Sequence, residues 1–292
     1  MIIVNYNTLQ MTQECIESIF EKTKGVDYEI ILVDNASTDG SKEHFEKDDR
    51  IRYIYSNENL GFGRANNLGY KYATGKYIFL LNSDTLLLNN AIFEFYKYMN
   101  SASPNIGCVG CELVNLKGKA TGSFGNFPDI RNFLGRILVS YKMRIPFLLG
   151  KSHSAEKYPC IVDYVTGADL FIRRDVIEKC GFFDPDFFMY FEETEMQYRF
   201  KKNGYMSHII DVPHIIHLQG ASNVNKSNKG KRSLKVASIE LKSRFIYCRK
   251  TNLNIRIISL IHLLLIPRIL LYNASWAEKR EMIETIFFCR DL

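Results

Sequence analysis

Tyr77-Ile78-Phe79-Leu80-Leu81-Asn82-Ser83-Asp84-Thr85 is a continuous apolar run that stops at a small polar residue and a carboxylate. Apolar side chains on both faces of an extended segment predict a strand covered by helices on both sides of a parallel sheet. In such sheets ligands bind just beyond the carboxyl ends of the strands. Asp84 stands at that end, and its oxygens suit a hard divalent cation such as magnesium or manganese. The competing assignment is structural: Asp84 caps the helix expected from about Asn89 or Asn90.

Upstream, Ile2-Ile3-Val4 predicts a first strand, and a helix follows from about Thr12 with Cys15, Ile16, Ile19 and Phe20 as its apolar face. Tyr28 to Val33 predicts a second strand that runs into Asp34-Asn35-Ala36-Ser37-Thr38-Asp39-Gly40, and Ile51 to Tyr55 a third. Strand, helix, strand is the opening of a parallel α/β sheet. Ser37, Thr38 and Asp39 are ordinary turn and cap residues, whereas Asp34 occupies a strand end, where a carboxylate can accept from a nucleobase or a ribose hydroxyl. Gly61-Phe62-Gly63-Arg64-Ala65-Asn66 has Asn66 where a dinucleotide fingerprint needs its third glycine, which argues against a redox cofactor. The loop still suits phosphate, with backbone N–H groups at a helix start and Arg64 for charge; this helix is expected to end at Gly75.

Downstream, a helix rich in aromatics leads to a strand over Gly107 to Val114, and residues 116 to 159 read as an insertion shaping an acceptor pocket. Strand pattern returns from Val162 to Arg174, with a short helix to Cys180. Phe187-Phe188-Met189-Tyr190-Phe191-Glu192-Glu193-Thr194-Glu195 then sets three glutamates against an aromatic wall. Acids in a first helical turn suit the helix dipole, but a partly desolvated carboxylate also gains proton affinity and suits general-base work. Glu192 and Glu195 are three apart and share a helical face, with Glu193 pointing elsewhere. His214 and His217 follow a strand near Ser207 to Val212.

The 292-residue chain carries a formal charge of +6, concentrated between Lys226 and Arg256, where Glu240 is the single acid. That segment is expected to meet an anionic neighbour, a membrane surface or nucleic acid, or to be a plain solvated face. Seven scattered cysteines and an opening without a basic leader predict a reducing cytoplasm. Cys108 and Cys111 form a CxxC without the further ligands that zinc needs. Ile255 to Leu271 is mostly Ile and Leu, but Arg256, His262, Pro267 and Arg268 interrupt it, so a transmembrane helix is rejected. A helix packed on the domain and an interfacial helix are the two remaining readings.

Together these pieces resemble a family 2 glycosyltransferase of the GT-A fold, in its rhamnosyltransferase-like subgroup. The resemblance covers residues 1 to 225 and rests on Val4-Asn5-Tyr6-Asn7, Val33 to Gly40, Asn59 to Asn67, Leu81-Asn82-Ser83-Asp84-Thr85, Gly181 to Arg199 and His217 to Ser222, in that order. It implies a Rossmann-like, mostly parallel sheet flanked by helices. The nucleotide-sugar half falls at about 1–115 and the acceptor half at 116–225, with a basic and apolar helical extension over 226–292. It implies an inverting transfer from a nucleotide-diphosphate sugar, rhamnose being the first to try, to a glycan or lipid-linked glycan, with Mg2+ or Mn2+ as cofactor. Asp34 would hold the base, with Asn7, Asn35, Arg64 and Asn67 nearby; Asn82 and Ser83 would complete the donor site; Asp84 and His217 would meet the metal. Glu193 aligns with the general base, with Glu192 as the alternative. Asn82 departs from the usual acid of the DXD motif, and a glutamate stands where the family's base is an aspartate. No nucleic acid is expected; peripheral contact with the inner membrane face through 226–275 is. Two rivals differ in class: a silent nucleotide-sugar-binding subunit, and a sugar nucleotidyltransferase, whose Gly-rich basic loop after the first strand is missing from Asn5-Tyr6-Asn7-Thr8.

Overall fold

The computed structural model describes residues 1–143, 157–218 and 234–287. Parts of three sequence expectations lie outside these: the middle of the 116–159 insertion, the Gln219 to Ser222 end of the resemblance, and Lys226 to Arg232 of the basic segment.

An eight-stranded sheet forms the centre. Its first half is β1 (Ile2–Asn5), β2 (Ile31–Asn35), β3 (Arg52–Ser56) and β4 (Tyr77–Asn82), all mutually parallel. β6 (Ile106–Cys111) and β11 (Met206–Ile210) are parallel to each other. Two strands run against them: β10 (Asp169–Arg173), between β4 and β6, and β8 (Cys160–Val162) at the edge. The mostly parallel α/β architecture is the one the β4 run implies.

Alternate residues of β4 enter different cores, which is why the run has no polar face. Phe79 and Leu81 pack with Cys15, Ile16 and Ile19 of α1 (Leu9–Lys22) and with Phe95 of α4 (Ala91–Ser101). Ile78 and Leu80 pack on the other face with Ala65 of α3 (Phe62–Tyr70), Val176 of α6 (Arg174–Cys180) and Met196 of α7 (Glu192–Lys202). Each fully buried Ile, Leu or Phe contributes on the order of 1.5–3 kcal/mol. Cys108 and Cys111 fall into opposite cores, so the CxxC forms no thiol pair.

Several boundaries differ from expectation because distant side chains set them. α1 starts at Leu9, not Thr12, since the Leu9 N–H donates to Asp39 Oδ2 at 2.9 Å across the β2 loop. α3 stops at Tyr70, short of Gly75. Asp84 does not cap α4; the side chains of Asn89 and Asn90 tie that turn to the carbonyls of Val212 and Lys24.

The remaining helices form a third core. α5 (Ile130–Ser140), within the predicted insertion, meets α8 (Leu234–Lys250), α9 (Ile255–Leu263), α10 (Ile266–Leu270) and α11 (Trp276–Phe287). Phe133 and Phe187 are buried in this core with Phe245, Tyr247 and Ile258. The C-terminal helices thus pack against the aromatic segment that precedes the glutamates. No helix among the described residues is long and apolar enough to cross a membrane.

Candidate active site

A cleft of about 420 Å³ opens at the carboxyl ends of β1, β2 and β4, lined by Tyr6, Thr8, Asn35, Asn59, Asn82, Ser83, Asp84, Gly167, Tyr190, Glu192, Glu193 and His217 among others. It lies where the sheet order reverses, β1 being flanked by β2 and β4, the usual place for a ligand in an open α/β sheet.

The first wall is a hydrogen-bonded web. Asn5 Oδ1 accepts from the Thr8 N–H and from the Thr8 and Thr12 hydroxyls, and Asn5 Nδ2 donates to Ser37 Oγ. The Thr8 hydroxyl lies 3.1 Å from Ser83 Oγ. Asp34 closes the web from below. It is fully buried, with Oδ1 accepting from the Ser37 N–H at 2.9 Å and Oδ2 from the Tyr53 hydroxyl at 2.6 Å. Asp34 therefore supports the cleft floor and does not line it. Asn7 is likewise engaged, accepting from the Thr38 N–H at 2.7 Å. Asn67 donates to the Phe183 carbonyl, and the exposed Arg64 lies outside the cleft lining. Of the expected donor contacts, the cleft brings together Asn35, Asn82 and Ser83.

A small ribbon carries the second wall. β5 (Thr85–Leu87) pairs antiparallel with β12 (Ile215–His217), placing His217 opposite Thr85. The Leu218 N–H donates to the Asp84 carbonyl at 2.9 Å and extends the pairing. His217 Nε2 comes within 3.2 Å of Asp84 Oδ1 and 3.4 Å of Asn82 Nδ2. One carboxylate, one imidazole and one amide converge on the cleft. That donor set fits Mg2+ or Mn2+, which bind through few protein groups and complete their shell with water and phosphate. No group of three or more His, Cys, Asp or Glu that could hold a metal occurs among the described residues, so a ligand's own oxygens would have to finish the shell.

The third wall holds the glutamates. α7 begins at Glu192, so Glu192 and Glu193 both sit at its tip and both reach the cleft. The helical-face argument separated them because it ignored that a helix end presents consecutive residues. Glu195 turns away, its carboxylate taken by Arg199 Nε at 2.9 and 3.0 Å. Burial, reinforced by the charge of Glu193, pushes the Glu192 carboxyl well above its ordinary value. Burial also raises Glu193, while backbone N–H groups of Glu193, Thr194 and Gly167 pull it back. Each has an Oε2 shielded from solvent and without a hydrogen-bond partner. Burial of two neighbouring carboxyls raises their affinity for a proton, and with no partner on either Oε2 they suit taking one from a group brought to them.

The approach to α7 is strained. Tyr190 and Phe191 have φ of 72° and 67°, a left-handed conformation that costs non-glycine residues about 1–2 kcal/mol each. Ser243 Oγ donates to the Met189 carbonyl at 2.7 Å, the Phe191 ring packs on Tyr247, and Lys250 Nζ lies 2.6 Å from both Asp184 and Asp186. The Phe188 carbonyl accepts from the Phe62 N–H at 2.9 Å, tying the segment to the glycine loop. Sequence reasoning missed these contacts, and also Gln197, whose side-chain amide bonds both the N–H and carbonyl of Val165 beside Gly167. An exposed Tyr6 at the mouth was missed too; its only signal was a large aromatic just past a strand end.

The architecture is shared with solved glycosyltransferases of the GT-A type. The mannosyltransferase PcManGT of Pyrobaculum calidifontis, solved with GDP-Man and Mn2+, superposes with a TM-score of 0.56 at 14% identity, covering 99% of this chain and 84% of its own. GalNAc-T7, solved with UDP, GalNAc and Mn2+, gives 0.58 at 16% identity over 82% of this chain and 46% of its own. By sequence, the low-salt glycan biosynthesis hexosyltransferase Agl10 of Haloferax volcanii is 29% identical over 208 residues, 69% of this chain and 61% of that protein. The rhamnosyltransferase WbbL of Escherichia coli is 24% identical over 251 residues, 82% of this chain and 90% of that protein. An uncharacterized glycosyltransferase of Rickettsia felis is 33% identical over 153 residues, and there the chain spans 25% of its relative. The description of Glycosyl transferase family 2 matches residues 1–181, and the chain belongs to that family.

Proposed function

We propose that the cleft transfers a sugar from a nucleotide-diphosphate donor to a hydroxyl of a glycan or lipid-linked glycan, with inversion at the anomeric carbon. The observation that carries this reading is the convergence, in one cleft at the switch point of the sheet, of the Asp84–His217 pair with the raised glutamate pair. The nucleoside lies along the β1 and β2 loops, with Tyr6 offering a ring face and Asn35, Asn82 and Ser83 offering polar contacts. Asp34 acts through Ser37, holding the loop that these groups stand on.

Asp84 and His217 would hold Mg2+ or Mn2+, which when bound would supply charge neutralisation for the departing diphosphate. Glu193 takes the proton of the acceptor hydroxyl as the new bond forms. It is less buried than Glu192, whose affinity for a proton burial and the neighbouring charge of Glu193 raise. Rhamnose is the first donor sugar to test, on the likeness to WbbL.

Calorimetry with nucleoside diphosphates, with and without Mn2+, checks the metal assignment. The wild type is expected to bind at least ~10-fold more tightly with Mn2+, a difference of about 1.4 kcal/mol, and Asp84→Ala to lose that difference. Equal metal enhancement in the variant would remove Asp84 from the site.

A further inference from the structure

Among the described residues of the basic C-terminal segment, three cations are paired within the chain. Lys242 pairs with Glu281 and the half-buried Arg244 with Glu240, while Lys250 bridges Asp184 and Asp186. Basic charge over 234–250 therefore does not single out an external anionic partner. The surface left without a partner is apolar and lies further on.

α9 packs Ile258 and His262 inward, and its exposed positions are Arg256, Ile257 and Leu260. Leu264 caps the same helix, so Ile257, Leu260 and Leu264 follow an i, i+3, i+7 pattern along one face, 41%, 65% and 46% exposed. Tyr141, at the end of α5, continues that face: its hydroxyl donates to the Leu264 carbonyl, and the guanidinium of the exposed Arg268 lies over its ring. Leu271, one turn beyond Arg268, is 88% exposed. From Thr251 to Ala277 the sequence holds Arg256 and Arg268 and no carboxylate. A face of large aliphatic side chains, a tyrosine with its polar end at the edge and arginines without acids has the makeup of an interfacial helix surface.

We propose that the face formed by Tyr141, Ile257, Leu260 and Leu264, flanked by Arg256 and Arg268, seats on an anionic lipid bilayer. The aliphatic side chains enter the boundary between headgroups and acyl chains, and the arginines meet lipid phosphates. The lack of acids decides for a bilayer over a second copy of this chain: an interface between copies would bring the same two arginines together without counter-charge. This inference does not depend on the assignment of the cleft.

Co-sedimentation of the full chain with vesicles of phosphatidylglycerol and phosphatidylcholine, against vesicles of phosphatidylcholine alone, tests it. The wild type is expected to sediment with the anionic vesicles and less with the neutral ones. Leu260→Glu with Leu264→Glu is expected to reduce the bound fraction about tenfold or more, since two inserted side chains are replaced by charge. Both positions are exposed, and an unchanged melting curve confirms that the variant folds. Arg256→Glu with Arg268→Glu is expected to abolish the preference for anionic lipid. A wild type that stays in the supernatant with both vesicle types overturns the proposal. So does a concentration-dependent dimer in sedimentation velocity that the leucine substitutions dissociate, since the face would then belong to a second copy.

Discussion

Asp169 on β10 and the Glu192–Glu193 pair on α7 are acids whose proton affinity burial raises. Asp169 is fully buried, Oδ2 accepting from the Cys111 N–H at 2.7 Å and Oδ1 unpartnered, and burial raises its pKa to about 8. Its folded value lies above its unfolded value of about 4. The stability it contributes is therefore complete below about pH 4 and is lost progressively as pH rises to about 8. At about 1.4 kcal/mol per unit, the change amounts to a few kcal/mol after allowance for relaxation around the charge. Asp169→Asn keeps an acceptor for Cys111 and cannot ionise. Melting curves between pH 5 and pH 9 should show the wild type falling relative to the variant as pH rises; parallel curves would mean that Asp169 titrates normally. The glutamate pair is shifted the same way, but under the proposed role its effect on activity has the opposite sign. A base with a raised pKa is competent only above it, so the acid limb of the rate profile should lie above the ordinary carboxylate range.

At the scale of the element, the glycine loop and the segment before α7 act as one clamp. Gly61 has φ of 78°, and a Cβ there would lie 1.9 Å from the Phe188 carbonyl oxygen. Asn35 holds the other side of the loop, accepting from the Leu60 N–H and donating to the Gly61 carbonyl. Gly61→Ala is expected to lower the melting temperature by at least ~5 °C, combining left-handed strain with a displaced backbone. Gly118→Ala is the control, since Gly118 has φ of 70° and nothing within 4 Å of its Cβ position; if the two variants melt alike, the clamp contributes nothing. The existence of these elements was legible, because apolar runs and glycines act locally. What they clasp was not. Phe188 meets Phe62, and His217 meets Asp84, through contacts between residues far apart in the chain, which leave no periodicity in either segment.

Across the whole molecule, β4 and Asp84 were readable from one run of letters, as was the crowding of acids at Glu192. Asp34 shows the limit: a carboxylate at a strand end is legible in the sequence, but its partner Tyr53, on the neighbouring strand, is not. For the same reason the sequence does not show the partners of Lys242 and Lys250, which lie on α11 and on the loop before α7. The third core makes these helices part of the active-site support, since α8 holds the strained turn that delivers Glu192 and Glu193. The proposed role of Glu193, taking the acceptor's proton, is tested most directly by Glu193→Gln. A panel of nucleotide-diphosphate sugars, offered with Mn2+ and a glycan acceptor, should yield nucleoside-diphosphate release by the wild type with one donor. The variant should bind that donor as tightly and turn it over at least ~100-fold more slowly; undiminished turnover in Glu193→Gln would contradict the account.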